Sequence, residues 1–370
     1  MKIKVNYKYL NIIFIIILIS LFFFIHLGNI SYGLPFFFNL DEISFQGSTL
    51  STLGFLTDHF EYNINPFYAP LLNMLLILKS IFFNEFLFNS FQNINDIKSK
   101  IYFNPELFLY YGRLASLTLT SISIFFLFLI FKKLKINFLI FSVLIITFAS
   151  SLVAFNVSTI MGKNSSYLLI YLIQLYFLIN DLVKLEKFNY KSYFYFGFLA
   201  SLAWGVNYWP AFISIYAVFF LHYKKFGLGK IHLLLIFTSI FLIFGPIINF
   251  FFVSIGPFDF LSPTNNKSEF ELSLFLKIFV EDVKKSFEII YTNEKNVILL
   301  AILTPFFFLN KNVKFKKEYL IIFFLIFEPI FLFSISGDLI PQLRYFAGVN
   351  CVILILTGIV FNELYKSKNK

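Results

Sequence analysis

Two adjacent carboxylates, Asp41 and Glu42, are the residues of this sequence best suited to chemistry. They lie in residues 31–68, a stretch without lysine or arginine that follows the first long apolar segment. Neighbouring side chains on a regular backbone point in different directions, so the pair is unsuited to sharing one proton. One carboxylate could act as a general base while the other holds a hydrogen-bond donor or a metal ion. The alternative is that both are ordinary solvated loop acids.

A divalent cation is the second chemistry that this stretch suggests. His59, flanked by Asp58 and Glu61, could ligate such an ion, and Glu42 could supply a further ligand. The His-x-Glu spacing is too common to establish a metal site, so an ordinary loop histidine remains the alternative.

Arg113 and Arg344 are the only two arginines among 30 basic residues. The planar guanidinium binds phosphate through two parallel hydrogen bonds, which a lysine ammonium cannot reproduce. Both arginines fall at the predicted outer ends of membrane spans, where basic residues are normally depleted. They therefore suggest a phosphate site, and an anchoring ion pair with a neighbouring helix or a lipid headgroup is the alternative.

The composition predicts what must position these residues. Hydrophobic residues make up 59% of the 370-residue chain and charged residues only 14%. Several apolar runs approach the roughly 20 residues that a membrane-spanning helix needs, and they lack the short alternation of a β-barrel. We therefore predict an all-α polytopic membrane protein, in which residues 1–370 form a single transmembrane domain. The net charge of +10 comes largely from lysine clusters between apolar runs, so we expect no nucleic-acid partner.

The apolar pattern predicts about ten transmembrane helices. Eight cover residues 9–30, 106–131, 136–156, 166–183, 231–253, 296–310, 319–336 and 344–362, and two shorter ones share residues 192–222 with a break near Asn207–Pro210. Residues 31–105 are predicted as the first extracytoplasmic loop, with an interfacial helix at 66–88, and residues 254–295 as a second outside loop. A full crossing by residues 66–88 is the alternative, but it would move every later lysine cluster to the outside. The predicted location is the bacterial inner (plasma) membrane, with both termini in the cytoplasm.

Four separated segments resemble one family. They are Asp41–Glu42, Asn65–Leu72 (NPFYAPLL), Tyr111–Leu117 (YGRLASL) and Pro341–Tyr345 (PQLRY), and the glycine-rich Gly197–Gly205 is a further similarity. In order and spacing they resemble the GT-C fold glycosyltransferases, in particular the protein O-mannosyltransferases and lipid A aminoarabinose transferases. The chain departs from that pattern at Met161–Asn164, where Asn164 occupies an acidic position of the family and Lys163 precedes it.

The resemblance implies a GT-C-like fold and transfer of a sugar from a polyprenyl-phosphate donor to a lipid, glycan or protein acceptor. Asp41 would be the base and Glu42 its partner, whereas Arg113, Arg344 and Lys163 would bind the donor phosphate.

The remaining expectations concern His59 and Tyr345, which would contact substrate. We expect no cofactor other than a divalent metal ion, for which Glu42 and His59 are the candidate ligands. A non-enzymatic lipid or glycan transporter and an enzyme of the O-antigen polymerase or ligase type remain open as alternatives.

Overall fold

The structure is a computed structural model that describes part of the chain. It describes residues 7–31, 105–160, 164–206, 208–252 and 346–368 continuously, together with short groups and single residues within 71–75, 280–302 and 322–325. In these ranges the chain forms helices and short connections, and they contain no β-strand.

The helices have the following bounds within the described ranges. They are α1 Tyr7–Ile30, α2 Pro105–Lys133, α3 Phe138–Ala149, α4 Leu152–Thr159, α5 Asn164–Val183, α6 Tyr190–Val206, α7 Tyr208–Phe226, α8 His232–Phe252 and α9 Ala347–Lys368, with a 3-10 turn at Leu185–Lys187. The prediction of two helices sharing residues 192–222 is confirmed, since α6 ends at Val206 and α7 begins at Tyr208.

The first two helices run in opposite directions. Arg113 Nη1 in α2 donates a hydrogen bond of 3.0 Å to the backbone oxygen of Ile30, the last residue of α1. The two residues that flank the first long loop therefore lie at the same end of the bundle. If residues 66–88 lie along the interface without crossing the membrane, α1 must end and α2 must begin on the same side, as they do here. Nearly all of residues 66–88 lie outside the described residues.

The lysine clusters gather at the opposite end. Helices α2, α5 and α9 run in the same direction, as three contacts together require. Tyr171 of α5 packs against Gly348 at the start of α9, and five residues further along α5 Tyr176 contacts Phe126 of α2. Gly358, ten residues after Gly348 in α9, lies against Phe131 of α2, with 3.2 Å from its Cβ position to that ring. The ends of these helices carry Lys132, Lys133, Lys184 and Lys366, and Lys225 at the end of α7 donates to backbone oxygens beside the 3-10 turn. We call this the basic end and the end with Ile30 and Arg113 the arginine end.

The predicted helix over 136–156 is wrong in one respect, since the structure divides it into α3 and α4. The two helices meet at Ser150–Ser151 with a bend of 57°. The Ser151 side chain accepts a hydrogen bond from the Ala154 backbone and so begins α4, while Ser150 ends α3. An apolar run of this length reads as one helix in sequence, but the serine pair offers the backbone local hydrogen-bond partners.

Four helices in the described ranges are long and apolar enough to cross a membrane. The segments are Asn11–Ile30, Leu109–Lys133, Asn164–Val183 and Ala347–Ser367, and a fifth span results if the bent pair α3–α4 is counted as one. The chain is thus an integral membrane protein, with fewer spans described than the ten predicted. The predicted helices 296–310 and 319–336 lie mostly outside the described residues.

Close helix contacts explain two glycines. A Cβ on Gly348 would lie 3.0 Å from the Tyr171 ring, and a Cβ on Gly197 would lie 2.9 Å from the Phe237 backbone oxygen of α8. Small residues let helix backbones approach where lipid provides no hydrophobic drive between helices. Gly197, at the start of the glycine-rich segment Gly197–Gly205, therefore has a packing role here.

Candidate functional site at the arginine end

Arg113 is the one predicted site residue within the described ranges. The other predicted site residues lie outside them: Asp41, Glu42, His59, Lys163, Arg344 and Tyr345. The predicted metal ligands Glu42 and His59 are among these. Among the described residues, no group of three or more histidines, cysteines or acids could hold a metal ion.

Arg113 is completely buried, at 0% exposure. A guanidinium removed from water needs hydrogen-bond partners, and the Ile30 carbonyl oxygen is one of them. The last four carbonyls of a helix have no partner within the helix, and the C-terminal end carries partial negative charge. Arg113 therefore caps α1 and joins it to α2, so its charge is held in place by the protein itself.

Three further buried polar side chains lie in the N-terminal parts of the helices that begin at the arginine end. Ser116 of α2, Ser166 of α5 and Asn350 of α9 have buried side-chain oxygen or nitrogen atoms without a hydrogen-bond partner among the described residues. At 1.5 Å per residue, each lies within about 10 Å of the start of its candidate span. With Arg113 we call them the polar layer.

The polar layer is costly for a membrane protein. A buried polar group without a partner costs about 1–3 kcal/mol, so an apolar side chain would serve packing better. Polar groups inside a membrane bundle commonly mark a substrate or ion site. The layer is therefore the best candidate for contact with a polar ligand.

The electrostatics of this end favour an anion. Helices α2, α5 and α9 all begin here, and a helix N-terminus carries about half a positive charge. Backbone N–H groups at such termini bind phosphate readily. The buried Arg113 adds a full positive charge to the same region.

A second polar feature lies at the break between α3 and α4. Glu294 is 4% exposed, and its Oε1 accepts a hydrogen bond of 2.6 Å from the Val153 backbone in the first turn of α4. Burial raises the pKa of the Glu294 carboxyl, and hydrogen bonds from the Val153 and Leu152 backbone oppose that rise. The carboxylate therefore caps α4 from a segment 141 residues away in sequence.

The break also contacts α1. The His26 imidazole lies beside the backbone of Ala149, the last residue of α3, and its ring is 5.6 Å from the Phe155 ring of α4. His26 is one helical turn from Ile30, which accepts the bond from Arg113. The break and the polar layer are thus connected through the last turn of α1.

A pocket of about 290 Å³ opens at this break. Its lining residues are Thr147, Ser150, Ser151, Leu152, Thr292, Asn293, Glu294, Lys295 and Val297. Sequence reasoning missed the pocket, because no local pattern connects residues 147–152 with residues 292–297. The signal that could have found it is the Ser150–Ser151 pair inside an apolar run.

Polar contacts at the basic end join neighbouring helices, although His222 Nε2 is buried without a hydrogen-bond partner among the described residues. The Tyr193 hydroxyl and His222 Nδ1 lie 2.6 Å apart between α6 and α7, and Tyr195 donates to the buried carboxylate of Asp181. Lys225 closes the same region through backbone oxygens of Glu186 and Phe188. These contacts hold the helix ends together, and it is the buried charge of Arg113 that makes the arginine end the better candidate for a site.

In comparisons with known proteins, no family model, curated protein or solved structure matches this chain. The GT-C resemblance therefore depends on the sequence motifs given above.

Proposed function

We propose that this membrane protein transfers one sugar from a polyprenyl-phosphate donor to an acceptor, at the arginine end of the bundle. In this proposal the arginine end faces the extracytoplasmic side of a bacterial plasma membrane, and both termini are cytoplasmic. The fold that the proposal implies is GT-C-like.

The observation that carries the proposal is the fixed, buried charge of Arg113 at the end opposite the lysine clusters. An arginine at that end can bind a phosphate only if the phosphate is on the same side of the membrane. The phosphate of a lipid-linked donor in the outer leaflet meets this requirement. The N-termini of α2, α5 and α9 add positive potential at the same end.

The sequence positions of two further cations support a convergent phosphate site. Lys163 directly precedes Asn164, the first residue of α5, and Arg344 precedes the start of α9 at Ala347 by three residues. We propose that both join Arg113 on the donor phosphate. Together they would stabilise the charge that develops when the polyprenyl phosphate leaves.

The acidic pair supplies the other half of the chemistry. Asp41 follows the arginine-end terminus of α1, Ile30, by eleven residues. In the proposal it removes a proton from the acceptor hydroxyl or amine, which attacks the anomeric carbon and displaces the polyprenyl phosphate. Direct displacement inverts the anomeric configuration. Glu42 supports Asp41 through a hydrogen bond or a metal ion.

One observation favours a second candidate, a transporter of lipids or lipid-linked glycans. The broken span α3–α4 resembles the discontinuous helices at transporter binding sites. A transporter would move the whole donor across the bilayer and leave the sugar–phosphate bond intact.

A panel of polyprenyl-phosphate sugars distinguishes the two candidates. Purified protein in nanodiscs is incubated with each donor, a mixture of acceptors and trace divalent metal, and the released polyprenyl phosphate is measured by mass spectrometry. We expect release with one donor class. Intact donor throughout, together with movement of a labelled donor between leaflets in liposomes, would support transport and contradict the transferase.

A further inference from the structure

We propose that the pocket at the α3–α4 break binds one neutral, polyhydroxylated sugar ring. Its role as the acceptor subsite rests on the proposed transferase function, whereas the binding itself does not. The pocket is lined by both sides of the break and by residues 292–295.

The size of the pocket limits the ligand to a small polar group. Small-molecule pockets are commonly about 300–1,000 Å³, and this one, at about 290 Å³, is at the lower limit. It fits one sugar ring or a lipid headgroup better than an extended glycan or an acyl chain.

The hydroxyl groups of the helix side of the pocket are already oriented. Thr147 Oγ1 donates to the Val143 backbone oxygen at 2.9 Å, and Ser150 Oγ donates to the Ile146 oxygen at 2.9 Å. Because each has used its proton within its own helix, each offers lone pairs to a ligand. Ser151 Oγ instead accepts from the Ala154 backbone at 3.1 Å, which leaves its proton to donate.

The facing segment repeats this excess of acceptors. Thr292 Oγ1 donates to the Glu288 backbone oxygen at 2.8 Å, and Asn293 Nδ2 donates to the Ile289 oxygen at 2.8 Å and to Thr292 Oγ1 at 3.0 Å. Asn293 Oδ1 and one lone pair of Thr292 Oγ1 are left to accept from a ligand. Beside them lies the carboxylate of Glu294. A ligand that fits must therefore bring several hydrogen-bond donors.

The charged residues of the pocket give it no net charge. Glu294 and the exposed Lys295 carry opposite charges, so the pair favours neither a simple anion nor a simple cation, and a zwitterion such as phosphoethanolamine is the competing ligand. Sugar hydroxyls fit the lining as a whole, because each donates one hydrogen bond and accepts others. They match the many acceptors and also use the donors at Ser151 and Lys295.

The location of the pocket at a broken span agrees with this ligand. Backbone without regular helix is tolerated at membrane depth where it lines a cavity that is polar or hydrated. Through Ala149, His26 and Ile30, the same backbone is connected to the last turn of α1 and to Arg113. An acceptor ring held here would lie on the arginine end, where the donor phosphate is proposed to bind.

Protection of an introduced cysteine tests the pocket without any donor lipid. Thr292→Cys is made in a Cys351→Ala background, and the rate of labelling by a neutral maleimide is measured in nanodiscs. Methyl glycosides of mannose, glucose and galactose, N-acetylglucosamine and O-phosphoethanolamine are the probes. A bound ligand at ten times its Kd should slow labelling about tenfold.

The matched control is Tyr291→Cys in the same background. Tyr291 precedes Thr292, is 63% exposed and does not line the pocket. We expect at least one glycoside to protect position 292 and none to protect position 291. Equal labelling with and without every glycoside, equal protection at both positions, or protection by O-phosphoethanolamine alone would overturn the proposal.

Glu294→Gln tests the chemistry of the same site while preserving the fold. The amide oxygen of glutamine can still accept the Val153 N–H, but the charge that strengthens a bond to a sugar hydroxyl is lost. Glycoside affinity should fall roughly tenfold or more, with the melting temperature little changed. Unchanged affinity in this variant would contradict the assigned role of the carboxylate.

The two proposals fail separately. Release of polyprenyl phosphate without any glycoside protection would leave the transferase standing and remove the pocket as its acceptor subsite. Protection without release would support the sugar site and remove the transferase.

Discussion

The bond from Arg113 to the end of α1 predicts a measurable loss of stability when the guanidinium is removed. Arg113→Met keeps an apolar stem of similar length but leaves the Ile30 carbonyl without its 3.0 Å donor. A hydrogen bond to a charged group contributes about 1.5–3 kcal/mol, and the interaction of a cation with a helix C-terminus adds about 0.3–1 kcal/mol. We therefore expect the free energy of unfolding to fall by about 2–4 kcal/mol.

Equilibrium unfolding of the purified protein in mixed detergent and SDS micelles measures this change. Lys132→Met is the matched control, because it removes a cation from the same helix at an exposed position. Lys132 lies over the Phe128 ring at 5.9 Å near the C-terminus of α2, so its removal should cost at most about 1 kcal/mol. Equal stability of Arg113→Met and the wild type would refute the structural role assigned to Arg113.

Arg113→Lys separates this structural role from phosphate binding. The charge is kept, and a lysine ammonium can still bond to one carbonyl, so much of the stability should remain. The bidentate fork is lost, so turnover with a polyprenyl-phosphate donor should fall even in the fraction that is folded. Full activity of Arg113→Lys would show that any cation suffices and would remove the argument from arginine.

Three further predictions concern packing and the break. Gly348→Val should destabilise the fold by about 1–3 kcal/mol because its side chain meets the Tyr171 ring, whereas Gly28→Ala, with nothing within 4 Å of its Cβ, should not destabilise it in thermal unfolding. Gln174→Leu removes the Oε1 that accepts from the Ser214 hydroxyl at 2.6 Å and should lower the free energy of unfolding by about 1–3 kcal/mol. Adding Ser214→Ala should recover part of this loss in a double-mutant cycle, and strictly additive effects would contradict the pairing. Burial raises the pKa of Glu294 in the folded state, so above the usual pKa of 4.5 the native protein binds more protons than the unfolded chain. The free energy of unfolding should therefore decline as the pH rises from 4.5 through the raised pKa of Glu294. Glu294→Gln should flatten this decline, and an unchanged pH profile of stability in the variant would contradict the prediction.

The long apolar helices could be predicted from sequence because their signals are local. The predicted bounds 9–30, 106–131 and 166–183 differ from those of α1, α2 and α5 by at most two residues. Helices α2 and α5 both have lysines at or just after their last residue, and a lysine cluster marks the end of an apolar segment clearly. The α6–α7 break could be read from Pro210, which is tolerated in the first turn of a helix.

The break at Ser150–Ser151 could not be predicted, because the partner that stabilises it is distant. Glu294 caps α4 across 141 residues, and His26 contacts Ala149 from α1. The local hydropathy of the sequence gives no indication of either contact. The choice between a structural and a phosphate-binding role for Arg113 was open for the same reason, since Ile30 is 83 residues away.

The most direct test of the proposed transfer is Asp41→Asn, with sugar transfer and donor binding measured on the same preparation. The amide keeps the shape of the side chain and removes the base, and loss of general-base catalysis typically slows a reaction about 10²–10⁴-fold. We predict that release of polyprenyl phosphate falls by this factor while donor binding, measured with a fluorescent polyprenyl-phosphate sugar, is retained. Near-normal release from Asp41→Asn would contradict the proposed mechanism.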